Sequence, residues 1–188
     1  MVAMERYFED FGVGQTFGSG RLRVDTERCK TFAAEFDPQP FHLDEEAARE
    51  TIFGGLAASG WHTAAVSMRL LVGSEFTPAG GIISLGFDEL RWPRPVRPED
   101  ELRVESEVLE VRLLKSRPEH GLIKVRTTTL NQNGEAVQVA TANLLVARRP
   151  AWLSVAVGRA CMAQPGLGKG SQSVNTSPRG CGRSPERA

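Results

Sequence analysis

The chain has 188 residues, a length typical of one domain with a single core, and its 23 basic residues balance its 23 acidic ones. It holds three cysteines and no run of about 18 apolar residues, which excludes a disulfide framework and a membrane-spanning helix. Its first residues are acidic and do not resemble a secretory leader, so we expect a cytoplasmic protein.

Helical signals dominate the first half of the chain. A short strand over residues 21–25 is predicted to precede a helix that Thr26 caps and that ends against Pro38. Asp44 is predicted to cap a second short helix. Ser59 is predicted to cap a third helix with apolar residues on most of its circumference. A helix of that kind is expected to be buried.

From Gly81 onward the pattern changes to that of antiparallel strands. Asn133-Gly134 is a strong tight-turn signal between the last two of them. The predicted strands span residues 82–96, 101–114, 122–130 and 136–147. The strand over residues 101–114 alternates. One of its faces is predicted to carry Leu102, Val104, Ser106, Val108 and Glu110. One sheet around one apolar helix is an α+β architecture.

An acid and an imidazole, Asp37 and His42, lie five positions apart across a spacer that contains Pro38 and Pro40. Proline holds its own φ at about −65° and pushes the preceding residue toward extended backbone, so we expect a stiff loop and not a helix. That loop must curve around a pocket for both groups to come within about 3 Å of one reacting atom. The pair is a candidate for general acid–base catalysis.

The start of the third helix is a second candidate feature. Its first turn offers unpaired backbone N–H groups, including that of Gly60, and a partial positive charge of about half a unit. Such a helix end suits a polarised carbonyl oxygen. His62, in the same turn, is predicted to be a hydrogen-bonded core or interface residue, and His120 a solvated loop residue.

Residues 31–48 resemble the signature of the MaoC-like hydratases, also called (R)-specific enoyl-CoA hydratases. That signature has an aromatic residue, then Gly-Asp-x-Asn-Pro, an apolar residue, His-x-Asp and a small residue shortly afterward. The matching positions are Asp37, Pro40, His42, Asp44 and Ala48. Phe36 and Gln39 stand where the family usually has Gly and Asn, and Ser59 stands where it tends to carry His. The similarity is expected to span residues 5–149.

The resemblance implies the hot-dog fold, in which a curved antiparallel sheet wraps around a long central helix. It also implies reversible syn addition of water across the C2–C3 double bond of an enoyl thioester. His42 would be the principal base and acid and Asp37 its partner, with the division between them open. Gly60 and Ser59 are the candidates for binding the thioester oxygen. No metal or redox cofactor is needed for this chemistry.

Two alternative functions remain open, a hot-dog acyl-CoA thioesterase and a non-catalytic acyl-CoA-binding subunit. A thioesterase would typically use a carboxylate near the central helix, which here lacks one until Glu75. We expect an acyl-CoA or acyl-carrier thioester as the substrate, and at least a homodimer, because long strands would otherwise leave an exposed edge. The candidates for binding CoA phosphates are Arg91, Arg94, Arg97 and Lys115.

The sequence divides into residues 1–150, expected to form the hot-dog domain, and residues 151–188, a tail rich in Gly, Ser, Pro and Arg that is expected to be disordered. The tail is basic, so the domain is acidic overall, which disfavours nucleic-acid binding. The spacings of Cys29, Cys161 and Cys181 fit neither a zinc site nor a redox Cys-x-x-Cys motif. We expect neither a metal nor a membrane partner.

Overall fold

The computed structural model describes residues 5–150, and the predicted tail lies outside the described residues. The helices are α1 (Thr26–Phe36), α2 (Pro40–Leu43), α3 (Glu45–Arg49) and α4 (Gly60–Val72), preceded by a 3-10 helix at Phe8–Asp10. The strands are β1 (Thr16–Gly18), β2 (Leu22–Arg23), β3 (Ile83–Arg91), β4 (Glu101–Leu113), β5 (His120–Leu130) and β6 (Ala136–Ala147). None of the described helices combines the length and hydropathy that crossing a membrane requires.

The strands form one antiparallel sheet in the order β1-β4-β5-β6-β3, with β2 also paired to β4. The β5–β6 hairpin turns where the Asn-Gly pair predicts it. The N–H of Gly134 donates to the carbonyl oxygen of Asn131 at 3.0 Å, and Gly134 adopts a φ of 77°. Glycine takes such a left-handed conformation without a Cβ penalty, so the predicted tight turn is confirmed.

Helix α4 packs one face against the sheet. Val66 and Leu70 of this helix are buried in the same apolar cluster as Val104 of β4. The opposite face is open, since Trp61 is 60% exposed and Val72 63%. The prediction of a helix buried on most of its circumference is therefore correct for one face only. An apolar pattern around the whole helix does not predict which side of it packs against the sheet.

Strand β4 alternates as predicted only as far as Val108. The buried residues up to that point are Leu102, Val104, Ser106 and Val108. A register shift between Val108 and Glu110 then changes the face, so Glu110 stays partly exposed and Val111 packs against the core instead. The prediction for Glu110 was wrong because a β-bulge interrupts a period of two without a residue type that marks it.

Three predicted element boundaries also differ from the structure. The early strand is reduced to the two residues of β2, and β1 was not predicted. Strand β3 ends at Arg91, before Pro93, which has no N–H to donate to a ladder. Asp25, not Thr26, caps α1, because the Asp25 carboxylate accepts the N–H of Arg28 at 2.9 Å.

Candidate active site

His42 lies on a single turn of helix, although the two prolines predict an extended loop. Pro40 occupies the first position of α2, where its missing N–H is not needed and its fixed φ suits the helix. Gln39, just before it, is extended with a φ of −87° and a ψ of 140°. The prediction of extended backbone was wrong beyond Gln39. The curvature that it required is nevertheless present, and it brings the side chains of Asp37 and His42 together.

The carboxylate and the imidazole face each other in a partly enclosed position. The Oδ2 atom of Asp37 lies 3.3 Å from Nε2 of His42. His42 is 5% exposed, and its other nitrogen, Nδ1, lies 2.8 Å from the carbonyl oxygen of Ala57. Because a carbonyl oxygen can only accept, Nδ1 carries the proton of the neutral ring and Nε2 turns a lone pair toward Asp37. A hydroxyl group or a water that reaches this pair therefore meets two acceptors.

Both oxygens of Asp37 accept hydrogen bonds from neighbouring side chains. Ser59 Oγ donates to Oδ2 at 2.7 Å, and Gln39 Nε2 donates to Oδ1 at 2.7 Å. Burial by itself would raise the pKa of Asp37, but these two donors and the nearby His42 together lower that pKa below its ordinary value. Asp37 is therefore a carboxylate at neutral pH.

Ser59 links the start of α4 to Asp37. Its hydroxyl accepts the N–H of Trp61 at 3.2 Å, which confirms the predicted N-cap. The same hydroxyl donates to Asp37, and Ser59 is 0% exposed. It does not line the cavity described next. Its position does not support the predicted contact with substrate; Ser59 orients Asp37 instead.

A cavity of about 550 Å³ is lined by Asp37 and His42 together with Gly60. This volume lies within the range of roughly 300–1,000 Å³ that small-molecule sites occupy. The N–H of Gly60 makes no hydrogen bond with the described part of the chain, as expected for the first turn of α4. The aromatic residues of the lining are Phe41, Phe53, Trp61 and Trp92. The arrangement combines a carboxylate–imidazole pair, a free backbone donor and apolar walls.

Arg97 anchors the segment that leads into α4. Its guanidinium donates to the carbonyl oxygens of Gly55 at 2.7 Å and Leu56 at 3.0 Å, and also to that of Phe53. Ala57, whose carbonyl oxygen holds His42, follows directly. Arg97 is thus occupied by protein acceptors, and its position does not support the predicted contact with CoA phosphates.

The other cations predicted to bind CoA phosphates occupy different positions. Arg94 lines the cavity and pairs with Glu135 at 3.3 Å. Arg91 pairs with Glu89 at 2.9 Å, Lys115 is exposed, and neither lines the cavity. Of the four candidates, Arg94 is the one that a ligand entering the cavity would meet.

The two remaining histidines lie outside this cavity. His62 is buried and stacks on Phe32 with ring centroids 5.0 Å apart. Its Nδ1 has no hydrogen-bond partner within residues 5–150, so the predicted hydrogen bond is not formed there. Burial, and to a lesser extent the charge of Arg28, lowers the pKa of His62, which keeps the ring neutral. His120 begins β5 and does not lie in a loop.

The described residues contain no group of three His, Cys, Asp or Glu side chains that could hold a metal ion. Cys29, the cysteine within this range, is a buried free thiol. Burial, aided by the charges of Asp25 and Glu99, raises its pKa to about 11, so it is not a reactive thiolate at neutral pH.

The profile of the MaoC like domain matches residues 10–131, a span that includes Asp37, His42 and the start of α4. The chain belongs to the MaoC-like family. This family of hydratases and dehydratases is the one that the signature around Asp37 and His42 resembles, and the resemblance is therefore confirmed.

Two solved structures confirm the fold. A MaoC-like dehydratase from Rhodospirillum rubrum is 57% identical, with a TM-score of 0.75 over 77% of this chain and 99% of that chain. The (R)-hydratase PhaJ1 from Pseudomonas aeruginosa is 30% identical, with a TM-score of 0.61 over 76% of this chain and 86% of that chain. The curved antiparallel sheet around α4 is thus the hot-dog fold of MaoC-like proteins.

A curated relative bears a substrate name. Mesaconyl-CoA hydratase from Cereibacter sphaeroides is 32% identical over 136 residues, which cover 70% of this chain. The matched region is 38% of that longer protein. The MaoC-like chain described here therefore spans well under half the length of this relative.

Two groups of the MaoC-like site were missed from the sequence. The carbonyl oxygen of Ala57 carries no side-chain signal, since every residue has one. The sequence predicts Arg97 only as a surface cation, because nothing in its neighbours reveals that three carbonyl oxygens converge on it. Both depend on how the chain folds back before α4.

The contact between Ser59 and Asp37 predicts a change in pH dependence. Replacing Ser59 by alanine removes a donor to the charged form of Asp37 while its burial stays, so the pKa of Asp37 is expected to rise. The acid limb of the kcat/KM profile should then move to higher pH, with a loss of about 10- to 100-fold at neutral pH.

A matched control is Ser74→Ala, which removes another buried serine hydroxyl that caps backbone groups far along the chain from Asp37. It should lower stability without moving the acid limb. If both variants move the limb equally, or neither does, Ser59 does not tune Asp37.

Proposed function

We propose that this MaoC-like protein catalyses the reversible syn hydration of an enoyl thioester, most simply an acyl-CoA. The observation that carries the proposal is the 3.3 Å approach of Asp37 Oδ2 to His42 Nε2 in a cavity that Gly60 also lines. An acid–base pair beside a free backbone donor is what addition of water to a conjugated thioester requires.

The first step activates water at the Asp37–His42 pair. A water there can donate one O–H to Nε2 of His42 and the other to Oδ2 of Asp37, because both atoms accept. As the water oxygen bonds to C3, His42 takes its proton. The hydrogen bond from Nδ1 to the Ala57 carbonyl holds the ring in the required tautomer and stabilises the cation that forms.

The second step returns a proton to C2. The electron pair of the C2–C3 double bond moves toward the thioester oxygen as C3 is attacked. The N–H of Gly60, at the positive end of α4, is the donor for that charge. Delivery from the same pair, on the same face, gives syn addition and regenerates neutral His42. Dehydration runs the same steps in reverse.

The names of relatives support a CoA thioester as substrate. The relative from C. sphaeroides is a mesaconyl-CoA hydratase, and PhaJ1 is an (R)-hydratase. Arg94, at the cavity, is the candidate for a contact with CoA phosphate. A thioesterase is the less favoured reaction here, because no Asp or Glu occurs in α4.

The reaction is tested by following the absorbance of the enoyl-thioester chromophore of crotonyl-CoA, with a thiol reagent in a parallel sample. Hydration bleaches the chromophore without releasing thiol, and that is the expected result. Release of thiol would assign a thioesterase. Saturable binding of crotonyl-CoA with neither change would assign a non-catalytic acyl-CoA-binding subunit.

We further propose that two copies of the chain associate through β3 and the open face of α4. Among residues 5–150, β3 is an edge strand that pairs only with β6. The exposed apolar residues of this face are Trp61, Met68, Val72, Ile83, Leu85 and Phe87. An unpaired edge with such a patch favours association with another strand edge of the same kind.

Sedimentation equilibrium is expected to give twice the chain mass of 20.5 kDa. Leu85→Lys, which puts a charge on the 57% exposed Leu85, should yield the monomer. Val13→Lys changes an equally apolar, 68% exposed residue outside this face and should leave the dimer intact. A wild-type monomer at micromolar concentration would contradict the proposal.

A further inference from the structure

Two tryptophans stand between the catalytic cavity and a second, apolar groove. The groove has a volume of about 90 Å³ and lies between α4 and the sheet, where Met68 and Phe87 are among its lining residues. Trp61 lines both the cavity and the groove. Trp92 lines the cavity alone. Trp61 therefore belongs to the boundary between the two spaces.

A hydrogen bond holds Trp92 at this boundary. Its Nε1 donates to Oε1 of Gln138 at 2.9 Å, and Gln138 is a buried residue of β6 that lines the groove. The rings of Trp61 and Trp92 meet edge to face, with centroids 5.6 Å apart and planes at 75°. Trp92 thus extends from the cavity to the groove. The hydrogen bond to Gln138 and the edge-to-face contact with Trp61 hold it in this position.

The Trp92 ring also lies directly against the start of α4. A Cβ atom added to Gly60 would come within 3.1 Å of ring atoms of Trp92. Gly60 is the proposed donor to the thioester oxygen, so Trp92 lies beside the position proposed for that oxygen. An acyl chain that continues beyond C3 toward the groove would meet this ring.

We propose that Trp92 sets the acyl-chain length of the substrate by closing the catalytic cavity against the apolar groove. The protein accepts short enoyl thioesters, and removal of the indole joins the two spaces into a longer acyl site. This inference rests on the proposed hydratase function. It makes two additions to that function. Trp92 is the residue that determines specificity, and short-chain enoyl thioesters are the substrate class.

The magnitude follows from the apolar character of the groove. One methylene group accommodated or rejected by an apolar pocket changes kcat/KM by roughly 10- to 200-fold. A chain several methylenes longer than crotonyl should therefore be rejected by the closed wall and accepted once the groove is joined. A rise of at least about tenfold in the long-to-short ratio of kcat/KM is the expected minimum.

The test compares kcat/KM for crotonyl-CoA and trans-2-decenoyl-CoA in the wild type and in Trp92→Ala, with Trp92→Leu as a second variant should the first fail to fold. The wild type should prefer crotonyl-CoA, and both variants should raise the decenoyl-to-crotonyl ratio. Adding Ala64→Leu, which fills the groove from a half-buried position on α4, should reverse the gain in Trp92→Ala.

Three results would overturn the inference while leaving the hydratase intact: a wild type that prefers decenoyl-CoA, a ratio unchanged in both Trp92 variants, or a gain that Ala64→Leu does not reverse. A wild type that hydrates neither thioester would instead overturn the proposed function, and the inference with it. The two failures are therefore distinguishable in one set of measurements.

Discussion

Replacing His42 by alanine is expected to lower kcat for enoyl-thioester hydration by about 10²- to 10⁴-fold. The side chain supplies Nε2, the acceptor that faces Asp37 Oδ2 at 3.3 Å, and no other imidazole lines the cavity. Asp37→Asn should cause a loss in the same range, since an amide keeps the shape of the carboxylate but removes its charge and one of its acceptor atoms. The measurement is initial-rate kinetics with crotonyl-CoA.

Stability has to be separated from chemistry in this experiment. His42 is buried, so its removal leaves the carbonyl oxygen of Ala57 without its donor, at a cost of about 1–3 kcal/mol in unfolding free energy. Kinetics should therefore be recorded well below the melting temperature of each variant. His120→Ala removes a histidine outside the cavity and should leave kcat unchanged.

If His42→Ala and Asp37→Asn both keep near-full turnover, and circular dichroism confirms that both are folded, this pair is not the catalytic acid and base. A higher KM with an unchanged kcat would also contradict this assignment. Removing a group that acts in the transition state lowers kcat, whereas removing one that only binds the substrate raises KM.

Arg97→Met is expected to destabilise the protein by about 2–5 kcal/mol and to lower kcat together. Three carbonyl oxygens, those of Phe53, Gly55 and Leu56, lose their donor in the variant. The next residue, Ala57, holds the tautomer of His42, so displacement of this segment disturbs the acid–base pair without touching it. Urea unfolding and crotonyl-CoA kinetics on the same samples measure both effects.

Two further variants sharpen this prediction. Arg97→Lys keeps the charge, but one ammonium group cannot reproduce the planar guanidinium fork that serves three acceptors. Its unfolding free energy and its kcat should therefore lie between those of the wild type and those of Arg97→Met. Arg112→Met breaks an exposed ion pair with Glu110 at 3.3 Å and should cost at most about 1 kcal/mol. Equal losses for Arg97→Met and Arg112→Met would mean that Arg97 is an ordinary surface cation.

The sequence predicts the sheet and the central helix correctly because each depends on local chemistry, and the acid–base role of Asp37 and His42 stays a prediction. Alternation marks β4, and the Asn-Gly turn places β5 and β6 on either side of it. Ser59 is a small hydroxyl residue directly before an apolar helix, and it caps that helix as predicted. The signature around Asp37 and His42 led to the family in which the chain belongs.

Errors in the prediction arose where distant segments decide the outcome. Pro40 fits an extended loop and the first turn of a helix equally well by its φ, and the folded chain selects the helix. Glu110 follows a bulge that alternation cannot reveal. The open face of α4 is apolar like its buried face, and only the position of the sheet decides which of the two faces is buried.

The sequence by itself identified the candidate groups, Asp37, His42 and Gly60, whose roles in catalysis stay a prediction. Only the tertiary structure decided their surroundings, with Ser59 turned toward Asp37 and Trp92 packed over Gly60. The physical reason is that side-chain type and backbone preference are local, whereas hydrogen bonds and packing between residues 22 or more positions apart depend on how the whole sheet closes around α4.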